Sequence, residues 1–304
     1  MPSLKSGDVL AGRYRIGDAL GRGGMGVVYQ AIDQQSGQRL AIKTLLPQYV
    51  TNARAVQRFI QEVNVIRQLH HPCIVRIMDA RQIDDLLFYT MEFVEGKSLR
   101  SWMKGKKRFG MGSTMRVLTL LCGALEHAHQ YTIHRDLSPE NVMITPDGGI
   151  KLLDFGLAKL MNTDSSFTRV GISLGKVQYI APEQRSDAKS VDHRADLYSL
   201  GVMFYEMLSG ELPIRGTPLS VLRPELPREC DAFVEKALAS EPDKRFASAA
   251  EFQSALARLY ELSKIQREKS KTPIDIPSNV SWGNKVKPRP WDRIRLFWRG
   301  LLKR

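Results

Sequence analysis

Several segments of the chain show the alternation of apolar and polar residues that is typical of β-strands. The first structured element is predicted to begin at Tyr14, in GRYRIGDAL, and GVVYQAID continues as a strand. Alternation in QRLAIKTL places Lys43 on a further strand, and LLFYTMEFVEG predicts another. The apolar residues Val142, Met143 and Ile144 predict a short strand later in the chain. Most predicted strands therefore precede residue 93.

Three other segments have the longer period of α-helices. ARAVQRFIQEVNVIRQLHH predicts an amphipathic helix with Phe59, Val63 and Ile66 on one side and Glu62 near them. STMRVLTLLCGALEHAH and ADLYSLGVMFYEMLSG, which Asp196 opens, are apolar enough to predict buried helices. These helices are expected to form much of the core.

Composition limits the class of protein. A chain of 304 residues with 43% hydrophobic content can bury a large core, as one large domain or a two-lobed one. The three cysteines, Cys73, Cys122 and Cys230, form no paired pattern, which indicates reduced thiols and a cytoplasmic location. We find neither an apolar signal segment at the start nor an apolar run of 18 residues, the length that a membrane span needs.

The segment HRDLSPEN, residues 134–141, carries the first candidate chemistry. It contains the carboxylate Asp136 and the carboxamide Asn141, and a second carboxylate, Asp154, follows in KLLDFGLAK. Mg²⁺ prefers such oxygen ligands, and phosphoryl transfer needs a base that orients the attacking hydroxyl. The three side chains together predict a metal-dependent phosphoryl-transfer site, with Asp136 as the base.

With these motifs, the chain resembles the eukaryotic-type (Hanks-type) protein kinases, and among them the bacterial serine/threonine kinases. The resemblance covers roughly residues 12 to 260, with the motifs in the expected order. It implies an α+β fold with a small β-rich lobe containing one main helix and a larger, mostly helical lobe. The implied organisation is a lead-in at 1–11, a kinase domain at 12–262 with lobes at about 12–93 and 94–262, a basic linker at 263–290 and a basic amphipathic tail at 291–304.

The segment GRGGMGVVYQA has glycines in GxGxxG spacing, at Gly21, Gly23 and Gly26. Between strands, such glycines let a hairpin backbone approach phosphates closely. A dinucleotide-binding fold uses the same spacing, but there the glycines open a helix. Because GVVYQAID continues as a strand, the hairpin is the predicted arrangement.

The resemblance also implies roles for individual residues. Lys43, paired with Glu62, would hold the ATP phosphates, and Asn141 and Asp154 would hold Mg²⁺ or Mn²⁺. Met91 would be the gatekeeper, while backbone groups of Glu92 and Val94 would bond adenine. The full implied nucleotide site is Leu20, Gly21, Gly23, Gly26, Val28, Ala41, Lys43, Met91, Glu92, Val94 and Met143.

Two positions depart from the family pattern beside the base. Ser138 stands where most serine/threonine members have a lysine that contacts the γ-phosphate, and Lys176 stands where they have a threonine. We hypothesise that the two have exchanged roles, because a lysine is a flexible point charge on a long stem. The alternative is a plain loss at Ser138 with Lys176 exposed to solvent.

Between Asp154 and Glu183 lies a segment rich in hydroxyl side chains. We predict Thr168 as a site of autophosphorylation, followed by Ser173 or Ser166, because a phosphate there can pair with Arg135 and order the segment. Such autophosphorylation implies a transient homodimer.

The carboxyl-terminal segment holds most of the net charge. Residues from Lys264 onward contribute +9 of the total +13. In WDRIRLFWRGLLKR, apolar and basic residues fall on different sides of a predicted helix, which suits an anionic membrane surface. Alternatively, the apolar side packs on the kinase body, or the segment introduces a membrane span. No nucleic-acid partner is expected, since the tail lacks a recognised module.

The expected activity is transfer of the ATP γ-phosphate to Ser and Thr hydroxyls of protein substrates. The alternative is an ATP-binding pseudokinase or a weakly active scaffold in signalling, which Ser138 favours.

Overall fold

The computed structural model describes residues 4–23, 26–46, 50, 53–105, 108–155, 176–186, 191–213 and 217–269. The chain divides into a compact unit, Met1–Arg267, and a second unit, Glu268–Arg304, of which only the first two residues are described. All of the elements below begin within the first unit.

A six-stranded antiparallel sheet forms the amino-terminal lobe, with the strand order β1-β2-β3-β4-β6-β5. Its strands are β1 (Val9–Leu10), β2 (Tyr14–Gly23), β3 (Gly26–Asp33), β4 (Arg39–Leu45), β5 (Ile77–Ile83) and β6 (Leu86–Glu92). Gly23 pairs with Gly26 across the β2–β3 hairpin, and a Cβ on Gly26 would lie 1.9 Å from the carbonyl oxygen of Thr44. The glycines therefore belong to a hairpin, as predicted, and the strand-to-helix arrangement of a dinucleotide fold is excluded.

Helix α1 (Ala53–Ile66) packs against one face of this sheet. Its residues Phe59, Val63 and Ile66 are buried in the same cluster as Tyr89 and Met91 of β6, so the predicted apolar side of the helix is confirmed. Burying each such side chain contributes about 1.5–3 kcal/mol. Alternation along the strands sends the neighbouring residues to the other face of the sheet, where a second apolar cluster lies. That cluster comprises Leu10, Tyr14, Ile16, Tyr29, Ala31, Leu40, Ile42 and Phe88.

The second lobe is mostly helical and contains one small antiparallel sheet of three strands. Its elements are β7 (Lys97–Ser98), α2 (Leu99–Gly105), α3 (Met111–Ala128), β8 (Val142–Ile144), β9 (Ile150–Leu152), α4 (Pro182–Ser186), α5 (Arg194–Ser209), α6 (Leu219–Leu222), α7 (Glu229–Ala237) and α8 (Ala249–Lys269). Helix α5 is buried on nearly all sides, which explains its almost uniformly apolar sequence. It ends at Gly210, whose positive φ of 84° a residue with a side chain rarely adopts.

The structure refines two boundaries that the sequence suggests. Helix α8 continues to Lys269, past residue 263, where the linker is predicted to begin. Helix α6 has only four residues, and Pro218 and Pro224 on either side of it disfavour a longer helix. Among the described residues, no helix is both long and apolar enough to cross a membrane.

Candidate active site

Asp196, the third helical residue of α5, fixes the backbone at the start of the loop 134–141. Its carboxylate accepts hydrogen bonds from the backbone N–H of His134 at 2.9 Å and of Arg135 at 2.8 Å, and it lies 2.8 Å from His129 Nε2. Burial raises the pKa of this carboxyl, but the His129 contact and the backbone donors more than offset that, so the pKa lies below its ordinary value. Arg135 is held with a positive φ of 62°, a strained conformation that these contacts maintain.

Asn141 connects the predicted base to the predicted metal ligands. Its Nδ2 donates to the backbone oxygen of Asp136 at 2.7 Å and to Asp136 Oδ2 at 3.0 Å. The backbone oxygen of Asn141 accepts from Leu153 N at 2.8 Å, next to Asp154. Because Nδ2 is used in this way, Oδ1 of Asn141 is the atom available to a cation.

Both carboxylate oxygens of Asp154 have a donor. Lys43 Nζ lies 2.7 Å from Oδ2, and the hydroxyl of Tyr89 lies 2.6 Å from Oδ1. Burial raises the pKa of Asp154, but the Lys43 ammonium and the two hydrogen bonds outweigh it and hold the pKa below its usual value. The residue also has a positive φ of 45°. Asp154 is thus ionised and held in one orientation.

Phe155 fixes the backbone beside Asp154 from the other side. Its ring lies 4.7 Å from that of His134, centroid to centroid, and is buried. His134 Nε2 in turn lies 2.8 Å from the backbone oxygen of Leu153. The loop 134–141 and the segment that carries Asp154 therefore form one packed unit.

The implied pair between Lys43 and Glu62 is not formed between these two described residues. Glu62 Oε1 instead accepts a hydrogen bond from Thr132 Oγ1 at 2.7 Å, while Lys43 is paired with Asp154. The prediction of this contact is wrong for the described arrangement, because the position of α1 brings Glu62 to Thr132 and leaves Asp154 as the anion that Lys43 meets. The roles that the resemblance gives the two residues in a nucleotide complex stay predictions.

Lys176 and Ser138 behave differently beside the base. Lys176 Nζ lies 3.1 Å from Asp136 Oδ2, so the ammonium does reach the predicted base. The Ser138 side chain is buried, and its hydroxyl makes no hydrogen bond with Asp136; it interacts instead with Glu140, where it helps to lower the pKa of the carboxyl. Only the lysine half of the hypothesised exchange therefore has a contact that supports it.

A buried network around Arg100 of α2 fixes the segment that carries Lys176. Arg100 donates to Glu140 of the loop 134–141 at 2.8 Å, to Glu206 of α5 at 2.7 Å and to the hydroxyl of Tyr179 at 2.6 Å. The Tyr179 hydroxyl also donates to Glu206. Because Tyr179 is only three residues from Lys176, this network helps to place the Lys176 ammonium beside Asp136.

The implied adenine contacts lie on neighbouring strands. Val28 pairs with Lys43 and Ala41 pairs with Met91 in the antiparallel register, so these side chains line adjacent positions of one sheet. Of the other implied contacts, Leu20, Gly21 and Gly23 lie on β2, Gly26 on β3, Glu92 on β6, Val94 just beyond it and Met143 on β8. The N–H of Glu92 donates to the backbone oxygen of Arg76 at 2.9 Å.

The three predicted phosphorylation sites, Thr168, Ser173 and Ser166, lie outside the described residues, as does the tail at 291–304. Arg245 and Glu183 form an ion pair, with two nitrogens of the guanidinium 2.7 and 2.6 Å from the two carboxylate oxygens.

Sequence reasoning missed Tyr89 and Thr132. Tyr89 is the polar side chain on the inward-facing side of an otherwise apolar strand, and that pattern is the signal that marks it. Thr132 precedes His134 by two residues, and no sequence pattern connects it with Glu62, 70 positions earlier.

The side chains at this site fit a magnesium ion. One carboxylate, Asp154, and one carboxamide oxygen, from Asn141, are hard ligands, and Mg²⁺ takes its remaining ligands from water and phosphates. Among the described residues, no group of three or more His, Cys, Asp or Glu side chains is placed to hold a metal. A cation that also needs substrate oxygens is therefore a better match than a cation held by protein ligands alone.

Comparisons with known proteins point to one family. A family model described as the protein kinase domain matches residues 14–260. A probable serine/threonine-protein kinase of Streptomyces coelicolor is 36% identical over 265 residues, which cover 80% of this chain and 39% of the relative. The serine/threonine-protein kinase PknB of Mycolicibacterium smegmatis is 34% identical, over 83% of this chain and 44% of its own length.

A solved structure shows the same likeness. The crystal structure of the Mycobacterium tuberculosis PknI kinase domain matches with a TM-score of 0.71 and 31% identity, covering 84% of this chain and all of that one. The chain spans less than half the length of the two curated relatives just described.

Proposed function

The chain belongs to the protein kinase domain family, and we propose that it is a serine/threonine protein kinase. It would transfer the γ-phosphate of ATP to hydroxyl groups of protein serine and threonine residues. The observation that carries the proposal is the set of hydrogen bonds made by Asn141. Its side chain donates to Asp136, and its backbone oxygen accepts from the N–H of Leu153, which is next to Asp154. A base and two ligands for a cation are thereby held in one hydrogen-bonded unit.

The residues act mainly by positioning and by charge. Asp136 orients the substrate hydroxyl and takes its proton, and Lys43 binds phosphate oxygens once it leaves Asp154. Asn141 and Asp154 would hold Mg²⁺, which when bound neutralises negative charge on the phosphates. Mn²⁺ is an alternative, since it also prefers oxygen ligands.

Lys176 supplies a positive charge beside the base in this proposal. Most serine/threonine members have a lysine at the position of Ser138, and the Lys176 ammonium reaches Asp136 from a later part of the chain. The Arg100 network limits how far the Lys176 backbone can move. We therefore assign the contact with the γ-phosphate to Lys176, and a merely structural role to the buried Ser138.

The experiment that tests this function is incubation of the protein with labelled ATP and a generic protein substrate, compared with Asp136→Asn. The substitution keeps the size of the side chain but removes the charge. Transfer by the wild type that Asp136→Asn abolishes supports the kinase. Binding of ATP by the wild type without transfer to itself or to any substrate would instead identify a nucleotide-binding scaffold.

Two finer features belong to the same proposal. Autophosphorylation at Thr168, Ser173 or Ser166 would regulate the enzyme, through a transient homodimer. The basic amphipathic tail at 291–304 would bind the anionic inner face of a membrane through its arginines and tryptophans. Co-sedimentation with anionic liposomes, with and without residues 285–304, tests the second feature. Equal binding of both proteins would contradict it.

A further inference from the structure

Tyr89 is a buried polar residue that the proposed mechanism does not use. It lies on β6, directly opposite Lys43 in the antiparallel register, and only 2% of it is exposed. Its hydroxyl donates to Asp154 Oδ1 at 2.6 Å, across 65 positions of sequence. A predicted metal ligand thus has a partner from the amino-terminal lobe in addition to Lys43.

The surroundings of Tyr89 make this hydrogen bond specific. The ring belongs to the apolar cluster that includes Leu87, Met91 and Phe59, and its centroid lies 6.1 Å from that of Phe59 on α1. A hydroxyl buried among apolar groups costs free energy unless it has a partner, so the contact with Asp154 determines where the phenol can lie. The packed ring, in turn, limits where the Asp154 carboxylate can turn.

We propose that Tyr89 is a positioning residue for metal binding, which orients the Asp154 carboxylate toward the cation. This inference rests on the proposed function, because it takes Asp154 to be a metal ligand. Each carboxylate oxygen has two lone-pair positions, so the hydrogen bond to Oδ1 leaves that oxygen able to bind a cation. Lys43 donates to Oδ2 in the described structure, and bound phosphates would draw its ammonium away from Asp154.

Hydrogen-bonded partners of this kind matter to metal sites in general. Ligating carboxylates are usually hydrogen-bonded to further residues, and loss of such a partner weakens metal affinity by about 10- to 100-fold. Tyr89 differs from Lys43 in being uncharged and in having no competing role on the phosphates. Its effect should therefore be seen in metal binding rather than in the affinity for the nucleotide alone.

The test is Tyr89→Phe, which removes the hydroxyl and keeps the packed ring. ADP affinity is measured by calorimetry at a series of Mg²⁺ concentrations and in excess chelator. We expect the Mg²⁺ concentration for half-maximal enhancement of ADP binding to rise about 10-fold, with the affinity in chelator unchanged. Tyr205→Phe is the matched control, because it also removes a buried hydroxyl, one that donates to Thr217 O at 3.4 Å, and it should not shift the Mg²⁺ dependence.

Three results would overturn the inference. In the first, the Mg²⁺ concentration for half-maximal enhancement of ADP binding by Tyr89→Phe lies within about twofold of the wild-type value. In the second, Tyr89→Phe loses the same ADP affinity with and without Mg²⁺. In the third, ADP binding by the wild type does not depend on Mg²⁺. Failure of the proposed function is a separate result, since it would be seen as normal Mg²⁺-dependent ADP binding with no phosphate transfer.

Discussion

The ammonium of Lys176 lies 3.1 Å from Oδ2 of Asp136, although the two residues are 40 positions apart. About a quarter of the Lys176 side chain is exposed and about a fifth of that of Asp136, so the pair faces the site rather than open solvent. An isolated exposed ion pair contributes little to stability. The contact is therefore of more interest for catalysis than for folding.

Replacing Lys176 should slow phosphate transfer. We expect Lys176→Thr to lower kcat by about 100-fold, because one preorganised charge at a reacting group is worth that much. Lys244→Thr is the control, since Lys244 is largely exposed and pairs with nearby Glu241, and it should leave kcat unchanged. Steady-state kinetics at saturating ATP measures both.

Whether Lys176 stands in for a lysine at position 138 is a separate question. If it does, Ser138→Lys should restore much of the activity that Lys176→Thr removes, so the two substitutions should be strongly non-additive in kcat. A double-mutant cycle gives the coupling. Additive effects would show that the two positions act independently, against the exchange.

The hydrogen bond from Thr132 holds Glu62 away from Lys43 in the described arrangement. A hydrogen bond to a charged group is worth about 1.5–3 kcal/mol, so removing it should favour the arrangement in which Glu62 meets Lys43 and tighten ATP binding about tenfold. Thr132→Val makes this change with little change of shape. Titration of nucleotide affinity measures the effect.

The matched control is Thr145→Val, which removes a hydroxyl that donates to the exposed Asp147. It should leave ATP affinity as it is. Unchanged or weaker ATP binding by Thr132→Val would show that Thr132 supports Glu62 instead of restraining it.

Because of Asp196, the free energy of unfolding should fall as the pH is lowered in the acid range. The folded-state pKa of Asp196 is depressed, so its contribution is fully present above the unfolded-state pKa of about 3.9 and is lost as pH falls toward the folded-state pKa. Asp196→Asn cannot accept as many N–H donors and should be less stable at pH 7. Urea unfolding between pH 6 and pH 3 should show the gap between the two proteins narrowing as pH falls.

Asp243→Asn serves as the control for this series. Asp243 is 90% exposed and pairs with Arg194. Its substitution should leave the wild-type pH profile unchanged. A constant gap between Asp196→Asn and the wild type down to pH 3 would contradict the assignment of the acid dependence to Asp196.

Local patterns predicted much of the fold. Alternation along the strands placed Lys43 in the sheet, and the apolar side of α1 was evident from Phe59, Val63 and Ile66. The glycine spacing followed by a strand predicted the hairpin. Each of these features is determined by residues close together in the sequence, so the local pattern is enough to predict it. The end of α8 at Lys269 was not predicted, although Lys, Gln, Glu and Arg near that residue favour helix and no stop signal precedes it.

The contacts within the site were less predictable. Whether Lys43 meets Glu62 or Asp154 depends on the position of α1 relative to the sheet, and the sequence spacing is the same in either case. Alternation shows that Tyr89 faces inward, but its partner is 65 residues away. The sequence shows that Lys176 is charged and that Ser138 is not. Only the packed structure shows that Lys176 is the one of the two that reaches Asp136.

We expect Lys43, Glu62, Asn141 and Asp154 to gather around one nucleotide and its metal ion. A crystal structure with a non-hydrolysable ATP analogue and Mg²⁺ would show whether they do. We predict that Lys43 leaves Asp154 for the phosphates and Glu62, while Asn141 and Asp154 bind the metal. A bound analogue from which Lys43, Asn141 and Asp154 all point away would show that these residues do not form a nucleotide site.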